Sequence, residues 1–179
     1  MLVTFAASGA LAIVNSFTAP KIAAQKQKEF SEGLLYVLPE CENGVILHEQ
    51  AGNDIYYLGY ANNDTTDLTG YAFSCFDKGY SSTIWTLVGV DTAGLIKKIK
   101  VLDQKETPGL GTRCAEIKSG EDTPWWQRQF QGKKATEVSL DKDQGDIVSI
   151  TGATITSRAI TDGIARRSSA ILNHVYAQE

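Results

Sequence analysis

Hydroxyl side chains crowd one stretch near the C-terminus, Ser149-Ile-Thr-Gly-Ala-Thr-Ile-Thr-Ser157, around a single Gly-Ala step and just ahead of a helical pattern. A helix start offers unpaired backbone N–H groups and a partial positive charge, which together hold a phosphate. A threonine at that point can bind a phosphate ester or, as a nucleophile, become one. A plain Ser/Thr-rich helix cap is the competing explanation for such a run. A second group lies upstream, Glu106-Thr-Pro-Gly-Leu-Gly-Thr112. Its two glycines permit close backbone approach to a flat ligand, with Leu110 as an apolar contact and Pro108 fixing the entry to the turn. A simple Pro-Gly turn is the alternative there.

The elements that must position these groups follow from the hydrophobic patterning. Asp54–Tyr60, Thr69–Cys75, Thr83–Val90 and Leu95–Leu102 are rich in β-formers and bounded by turn residues. The last two read as a hairpin around Asp91-Thr-Ala-Gly94, with Lys97, Lys98 and Lys100 on a solvated face. Thr123–Phe130 predicts a short helix with Thr123 as N-cap and Pro124 in its first turn. Ile147–Ile150 predicts a strand leading into the Thr-rich turn. A final helix is expected from about Thr156 to Tyr176, with Ile160, Ile164, Ile171 and Val175 as its apolar stripe and Arg167 intruding on it.

Composition bounds the rest. The 179 residues carry 42% hydrophobic and 21% charged side chains, an ordinary globular balance. A net charge of −4 with dispersed Lys and Arg argues against nucleic acid as a partner. Cys41, Cys75 and Cys114 form no CxxC pair, so neither an iron–sulfur nor a zinc site is expected; buried small apolar side chains are the reading, with one disulfide open in an oxidising compartment. His48 and His174 are isolated in sequence and carry no predicted role. Leu2–Ala19 holds no charge and closes on Pro20-Lys21. Membrane anchor, signal peptide and buried helix compete for it. The absence of a basic residue ahead of Leu2 counts against a signal peptide, and the absence of a polar face against a soluble core helix. An anchor (1–19) packed by small residues against partner helices is the reading adopted. Residues 20–39 then form a helical stalk ended by Pro39, and residues 40–179 the globular domain.

The run Thr151-Gly152-Ala153-Thr154 with Ile155-Thr156-Ser157 resembles the flavinylation motif of the FMN-binding domain family. Gly70-Tyr71-Ala72-Phe73, Gly79-Tyr80, Val88–Asp91 with Gly94, Ile99–Leu102 and Glu106–Gly111 follow the same family in order and spacing. With Trp125, Trp126, Phe130 and Gly132-Lys133, the resemblance covers about residues 70–172. It implies FMN attached through a phosphoester to Thr154, with Thr151, Gly152 and Ala153 around the phosphate and Thr156 and Ser157 as donors at the helix start. Glu106, Thr107, Gly109, Leu110 and Gly111 become candidate contacts along the ring or ribityl chain. The Trp125, Trp126 and Phe130 rings are assigned to core packing. One departure stands out: where the family pattern carries an aspartate this chain has Val148, and Asp146 lies two residues earlier.

With the amino-terminal apolar run, the match resembles the G-subunit family of Rnf-type ferredoxin:NAD oxidoreductases, with the C subunit of sodium-pumping NADH:quinone reductase as the alternative. The resemblance implies an electron-transfer subunit of an ion-translocating membrane complex, with flavin and iron–sulfur subunits and the lipid bilayer as partners. It also implies a separate magnesium-dependent flavin transferase that uses FAD as donor; no phosphate-cradling loop with a lysine suggests self-modification. Two other classes remain open: an anchored module binding flavin or another phosphorylated ligand without redox duty, and a structural subunit whose Thr-rich turn is a cap. The expected fold is α+β, one FMN-binding domain with a mixed or antiparallel sheet and flanking helices behind one transmembrane helix, and no metal site is expected. The family places the domain outside the cytoplasm at the inner or plasma membrane. Lys21, Lys26 and Lys28 taken literally argue for the opposite side, and a basic segment ahead of Met1 would reconcile the two.

Overall fold

The computed structural model describes residues 2–52 and 54–177; for residues 2–6 and Ala10 only the backbone is described. Two compact units divide the chain, Met1–Glu32 and Gly33–Glu179.

Helix α1 (Leu2–Val37) runs uninterrupted through Pro20. Within the first unit Leu11, Ile13, Val14 and Phe17 are all exposed, so this part of the helix presents apolar side chains to its surroundings. Two of its hydroxyls are satisfied locally: Ser16 Oγ donates to the Ile13 carbonyl at 2.8 Å and Thr18 Oγ1 to the Val14 carbonyl at 2.9 Å. Among the described residues no helix is long and apolar enough to cross a membrane. Part of the predicted anchor, the side chains of residues 2–6 and Ala10, lies outside the described residues.

The second unit is built on five strands, β1 (Val45–Ala51), β2 (Asp54–Tyr60), β3 (Leu68–Lys78), β4 (Thr83–Val90) and β5 (Ile96–Asp103), in the order β1-β2-β3-β4-β5. Every neighbouring pair is antiparallel, so the sheet is a meander with no parallel strand. The predicted strands at 54–60 and 83–90 are present with those bounds, and those at 69–75 and 95–102 are present with shifted ends. Strand β1 lies at the sheet edge; its central Leu47-His-Glu-Gln50 is exposed and mostly polar, which hides it from hydrophobic patterning.

Helix α2 (Thr154–Tyr176) covers one face of the sheet. Ile160, Ile164, Ile171, Leu172 and Val175 join Phe73, Ile84, Val88, Val90 and Ile99 in the core. Each such side chain contributes roughly 1.5–3 kcal/mol by leaving water. Arg167 sits half-buried at the edge of that stripe, paired with Asp54. On the other face the last turn of α1 lies directly on β4: a Cβ at Gly89 would stand 2.2 Å from the Val37 carbonyl oxygen.

Two sequence readings are corrected. Thr123–Phe130 is not an α-helix but a turn ending in a 3-10 segment, Gln127–Phe130, with no cap from Thr123. Trp126 and Phe130 are fully buried there, meeting edge to face at 5.2 Å, and burying both rings matters more than helical continuity. Ile147–Ile150 contributes one isolated bridge, Ile147 with Leu140, in place of a strand. The Val148 backbone is held by side chains: its N–H donates to Gln129 Oε1 at 2.9 Å, and its carbonyl accepts from Trp126 Nε1 at 2.7 Å.

Candidate functional site

The Thr-rich turn leads into α2 two residues earlier than its sequence pattern suggests, so Thr154 is the first helical residue. Ser157 fixes that geometry. Its Oγ accepts from the Ile150 N–H at 3.0 Å and donates to the Ala153 carbonyl at 3.0 Å, closing the turn from below. Gly152 turns the chain at φ +79°, a value that suits glycine. Ala153 stands at the N-cap and gives no side-chain cap. The backbone N–H groups of Thr154, Ile155 and Thr156 therefore have no hydrogen-bond partner among the described residues. Three free donors at the positive end of a helix of 23 residues suit an anion.

The hydroxyls of the motif differ sharply. Thr154 is half-exposed, and its Oγ1 has no partner among the described residues. Thr156 is buried, and its Oγ1 donates to Glu106 Oε2 at 2.6 Å. Thr151 is exposed and stands outside the cleft described below. Of the threonines in the run, Thr154 alone combines access, a free hydroxyl and a place in the first helical turn.

Glu106 is 5% exposed, and the fold surrounds it with donors. Its Oε1 accepts from the Ser81 N–H at 3.0 Å, the Ser82 N–H at 2.9 Å and the Ser82 hydroxyl at 2.9 Å. Its Oε2 accepts from the Tyr80 N–H at 3.1 Å and from Thr156. Burial alone would raise the carboxyl. The Thr156 and Ser82 hydroxyls and the Ser81 and Ser82 amides outweigh it and hold the group below the usual carboxylate range. Glycines flank the slot: a Cβ at Gly79 would meet Glu106 Oε1 at 2.8 Å, and one at Gly111 would meet Glu106 Cβ at 2.6 Å and Thr156 Oγ1 at 2.8 Å.

These pieces enclose a cleft of about 630 Å³ lined by Tyr80, Glu106, Thr107, Leu110, Gly111 and residues 152–156. That volume lies within the range of about 300–1,000 Å³ usual for small-molecule sites. The fold thus brings Glu106–Gly111 onto the Thr-rich turn across some forty residues of sequence. Gly109, Thr151 and Ser157 stand outside the lining, and Tyr80 and Ile155 join it although no ligand role was expected of either. Tyr80, Ile155 and Leu110 are 70%, 50% and 43% exposed, an apolar rim around the free Thr154 hydroxyl and the free amides. A ligand with a flat apolar body and a phosphate end fits that division, and FMN is such a ligand.

Elsewhere, Trp125 lies outside the cleft under the Lys118 ammonium, 4.2 Å from the ring centroid. Asp146 pairs with Lys133 at 3.2 Å, whereas the acid that touches the motif backbone is Asp141, whose Oδ1 accepts the Ser149 N–H at 3.1 Å. Cys41, Cys75 and Cys114 are free and buried, and burial pushes the Cys75 and Cys114 thiols up to about 12. Among the described residues no group of three or more His, Cys, Asp or Glu side chains could hold a metal ion.

Comparison with known proteins agrees with this geometry. The model of the FMN-binding domain matches residues 79–167. The G subunit of the ion-translocating oxidoreductase complex of Vibrio vulnificus is 30% identical over 173 residues, covering 89% of this chain and 80% of that protein. The corresponding subunit of Erwinia tasmaniensis is 32% identical over 183 residues, covering 92% and 84%. The G subunit of the proton-translocating ferredoxin:NAD(+) oxidoreductase complex of Clostridium ljungdahlii is 31% identical over 157 residues, covering 86% and 78%. Among solved structures, NqrC of Shewanella oneidensis shares the fold with a TM-score of 0.52 at 21% identity, over 69% of this chain and 61% of that one.

Proposed function

The chain belongs to the G-subunit family of ion-translocating oxidoreductase complexes and carries an FMN-binding domain; from that membership we propose that it is an electron-transfer subunit whose FMN is esterified to Thr154. When bound, FMN supplies the redox chemistry, accepting and passing on electrons. The protein supplies position. The Thr154–Thr156 amides receive the phosphate, with Thr151, Gly152 and Ala153 shaping the turn around it. Thr107, Leu110 and Gly111 would line the path of the ribityl chain and ring, with Gly109 turning the loop between them at φ +75°, and Ile155 would add apolar contact. Ser157 holds the turn from behind. Glu106 organises the site rather than touching the ligand, because its oxygens are already filled by protein donors.

The attachment step belongs to a separate flavin transferase. Thr154 Oγ1 would supply the nucleophile that bonds to the phosphorus of the FMN half of FAD, with the pyrophosphate linkage breaking, AMP as the leaving group and the hydroxyl proton passing to solvent or to a transferase base. The single observation that carries the proposal is that Thr154, at the start of α2, lines the cleft with a hydroxyl that has no partner among the described residues. A covalent bond suits a carrier whose oxidised and reduced cofactors differ in affinity for protein, since neither form can leave.

The first unit supports a membrane reading: Leu11, Ile13, Val14 and Phe17 present apolar surface that water does not favour, and partner helices or lipid would cover it. On this reading residues 1–19 are the anchor, 20–39 the stalk and 40–179 the FMN-binding domain, facing away from the cytoplasm at the inner or plasma membrane beside the other subunits. Protease accessibility in sealed vesicles tests the sidedness.

Co-expression with a flavin transferase, followed by denaturing electrophoresis under ultraviolet light, tests the attachment. A fluorescent band present in the wild type and Thr151→Val and absent in Thr154→Val is expected. Flavin that leaves on denaturation would overturn the covalent bond and favour a non-covalent flavin module.

A further inference from the structure

We propose that Glu106 is the positioning residue of the cleft: it clamps the β3–β4 hairpin tip to the first turn of α2 and thereby sets Tyr80 as a wall of the cleft that Thr154 also lines. The inference deepens the reading that Thr154 carries FMN and rests on it.

The tip is Gly79-Tyr80-Ser81-Ser82, and apart from Glu106 little holds it. The Gly79 N–H donates to the Ser82 carbonyl at 2.8 Å, and the Lys105 N–H donates to Ser82 Oγ at 2.8 Å. The other polar ties of the tip end on one carboxylate, which receives three successive backbone N–H groups and the Ser82 hydroxyl. The same carboxylate accepts from Thr156, two residues beyond Thr154 in the same helical turn. A carboxylate offers about four acceptor directions, and five donors saturate it. Contact with a phosphate is also electrostatically unfavourable for an ionised carboxylate. Glu106 therefore acts through what it holds, and the cleft residue it holds by its backbone N–H is Tyr80, 70% exposed and part of the cleft lining.

Gln at position 106 separates this role from simple bracing. An amide keeps one acceptor oxygen and turns the other into a donor. With its oxygen left on the Ser81 and Ser82 amides, its NH2 faces the Thr156 hydroxyl and the Tyr80 N–H. The Thr156 hydroxyl can rotate and accept. The Tyr80 N–H cannot, so the loss falls on Tyr80.

Two readouts test the clamp on the full chain. The first is amide hydrogen exchange of the protein before flavin loading. Glu106→Gln is expected to speed exchange at Tyr80 on the order of tenfold, the change that one lost charge-assisted hydrogen bond produces, with smaller changes at Ser81 and Ser82. The second is flavin emission of the loaded protein, since a phenol ring close to a flavin quenches it. Glu106→Gln and Tyr80→Leu are each expected to load FMN on Thr154 and to emit more than wild type, and the double variant to emit no more than Tyr80→Leu alone. Thr156→Val, which cuts only the tie to α2, serves as the second variant where Glu106→Gln does not fold, with the same non-additivity against Tyr80→Leu. Unchanged exchange at Tyr80 overturns the clamp. So does an emission increment from Glu106→Gln that persists undiminished with Leu at position 80. If no variant and no wild-type chain loads FMN, the underlying reading fails, and the exchange experiment still decides whether Glu106 holds the tip.

Discussion

Thr154 and Thr156 are two residues apart in one helical turn, yet replacing each with valine should produce opposite results. Valine has nearly the shape of threonine and a similar helix propensity, so each change removes one hydroxyl and little else. At position 156 the hydroxyl is buried and donates to an ionised carboxylate at 2.6 Å. Hydrogen bonds to charged groups contribute about 1.5–3 kcal/mol, and Thr156→Val should lose stability of that order. For a chain of this size each kcal/mol shifts the melting temperature by roughly 2–4 °C, so the midpoint should fall by about 3–12 °C. At position 154 the hydroxyl is half-exposed and has no partner among the described residues, so Thr154→Val should stay within about 0.5 kcal/mol of wild type. The order reverses for the flavin: Thr156→Val should retain a fluorescent band after co-expression with a flavin transferase, and Thr154→Val should have none. Thermal melts of the unloaded, detergent-solubilised chains, followed by circular dichroism, supply the stability arm. Equal destabilisation of the two variants, or a Thr154→Val midpoint several degrees below wild type, would refute the hydrogen-bond assignment on which both expectations stand.

Further outcomes follow from the same geometry. Glu106 sits below the ordinary carboxyl range when folded, so it binds its proton more weakly than in the unfolded chain. Its contribution to stability should be complete above the unfolded value of about 4.3 and should vanish as the pH falls through the folded value; Glu106→Gln should flatten that acid limb in urea titrations between pH 2 and 6. Gly111→Ala places a Cβ 2.6 Å from Glu106 Cβ, and chemical denaturation should register a loss of about 1–3 kcal/mol, with faster amide exchange at Ser81 and Ser82. Cys75 and Cys114, with thiols near 12, should resist a maleimide at pH 7.5 in the native protein and react fully in guanidinium.

Much of the fold could be read from the chain because strands β2 to β5 carry β-branched and aromatic runs between clear turns. Strand β1 escapes such a reading because its middle is polar and exposed at the sheet edge. The Thr123–Phe130 segment has the punctuation of a helix, but two rings that must both reach the core break it after a single turn. The site divides in the same way. The Thr-rich turn and the Gly-Leu-Gly loop are local matters of residue type and spacing. Glu106 reads in sequence as a ligand contact because its partners, Tyr80 to Ser82 and Thr156, lie 24 to 50 residues away and nothing local announces them. Gly79 and Gly111 are the available sign, since both look like turn glycines and both make room for that carboxylate. Ser157 faces inward for a comparable reason: with α2 starting at Thr154, its hydroxyl falls over the Ile150–Ala153 turn.

The most direct test is fragment mass analysis of the protein isolated from its own membrane. The peptide spanning Ser149 to Arg158 should carry the mass of one FMN phosphoester, localised to Thr154 and absent from Thr151 and Thr156. An unmodified peptide from native, fully matured material, or the flavin on a different side chain, would contradict the assignment.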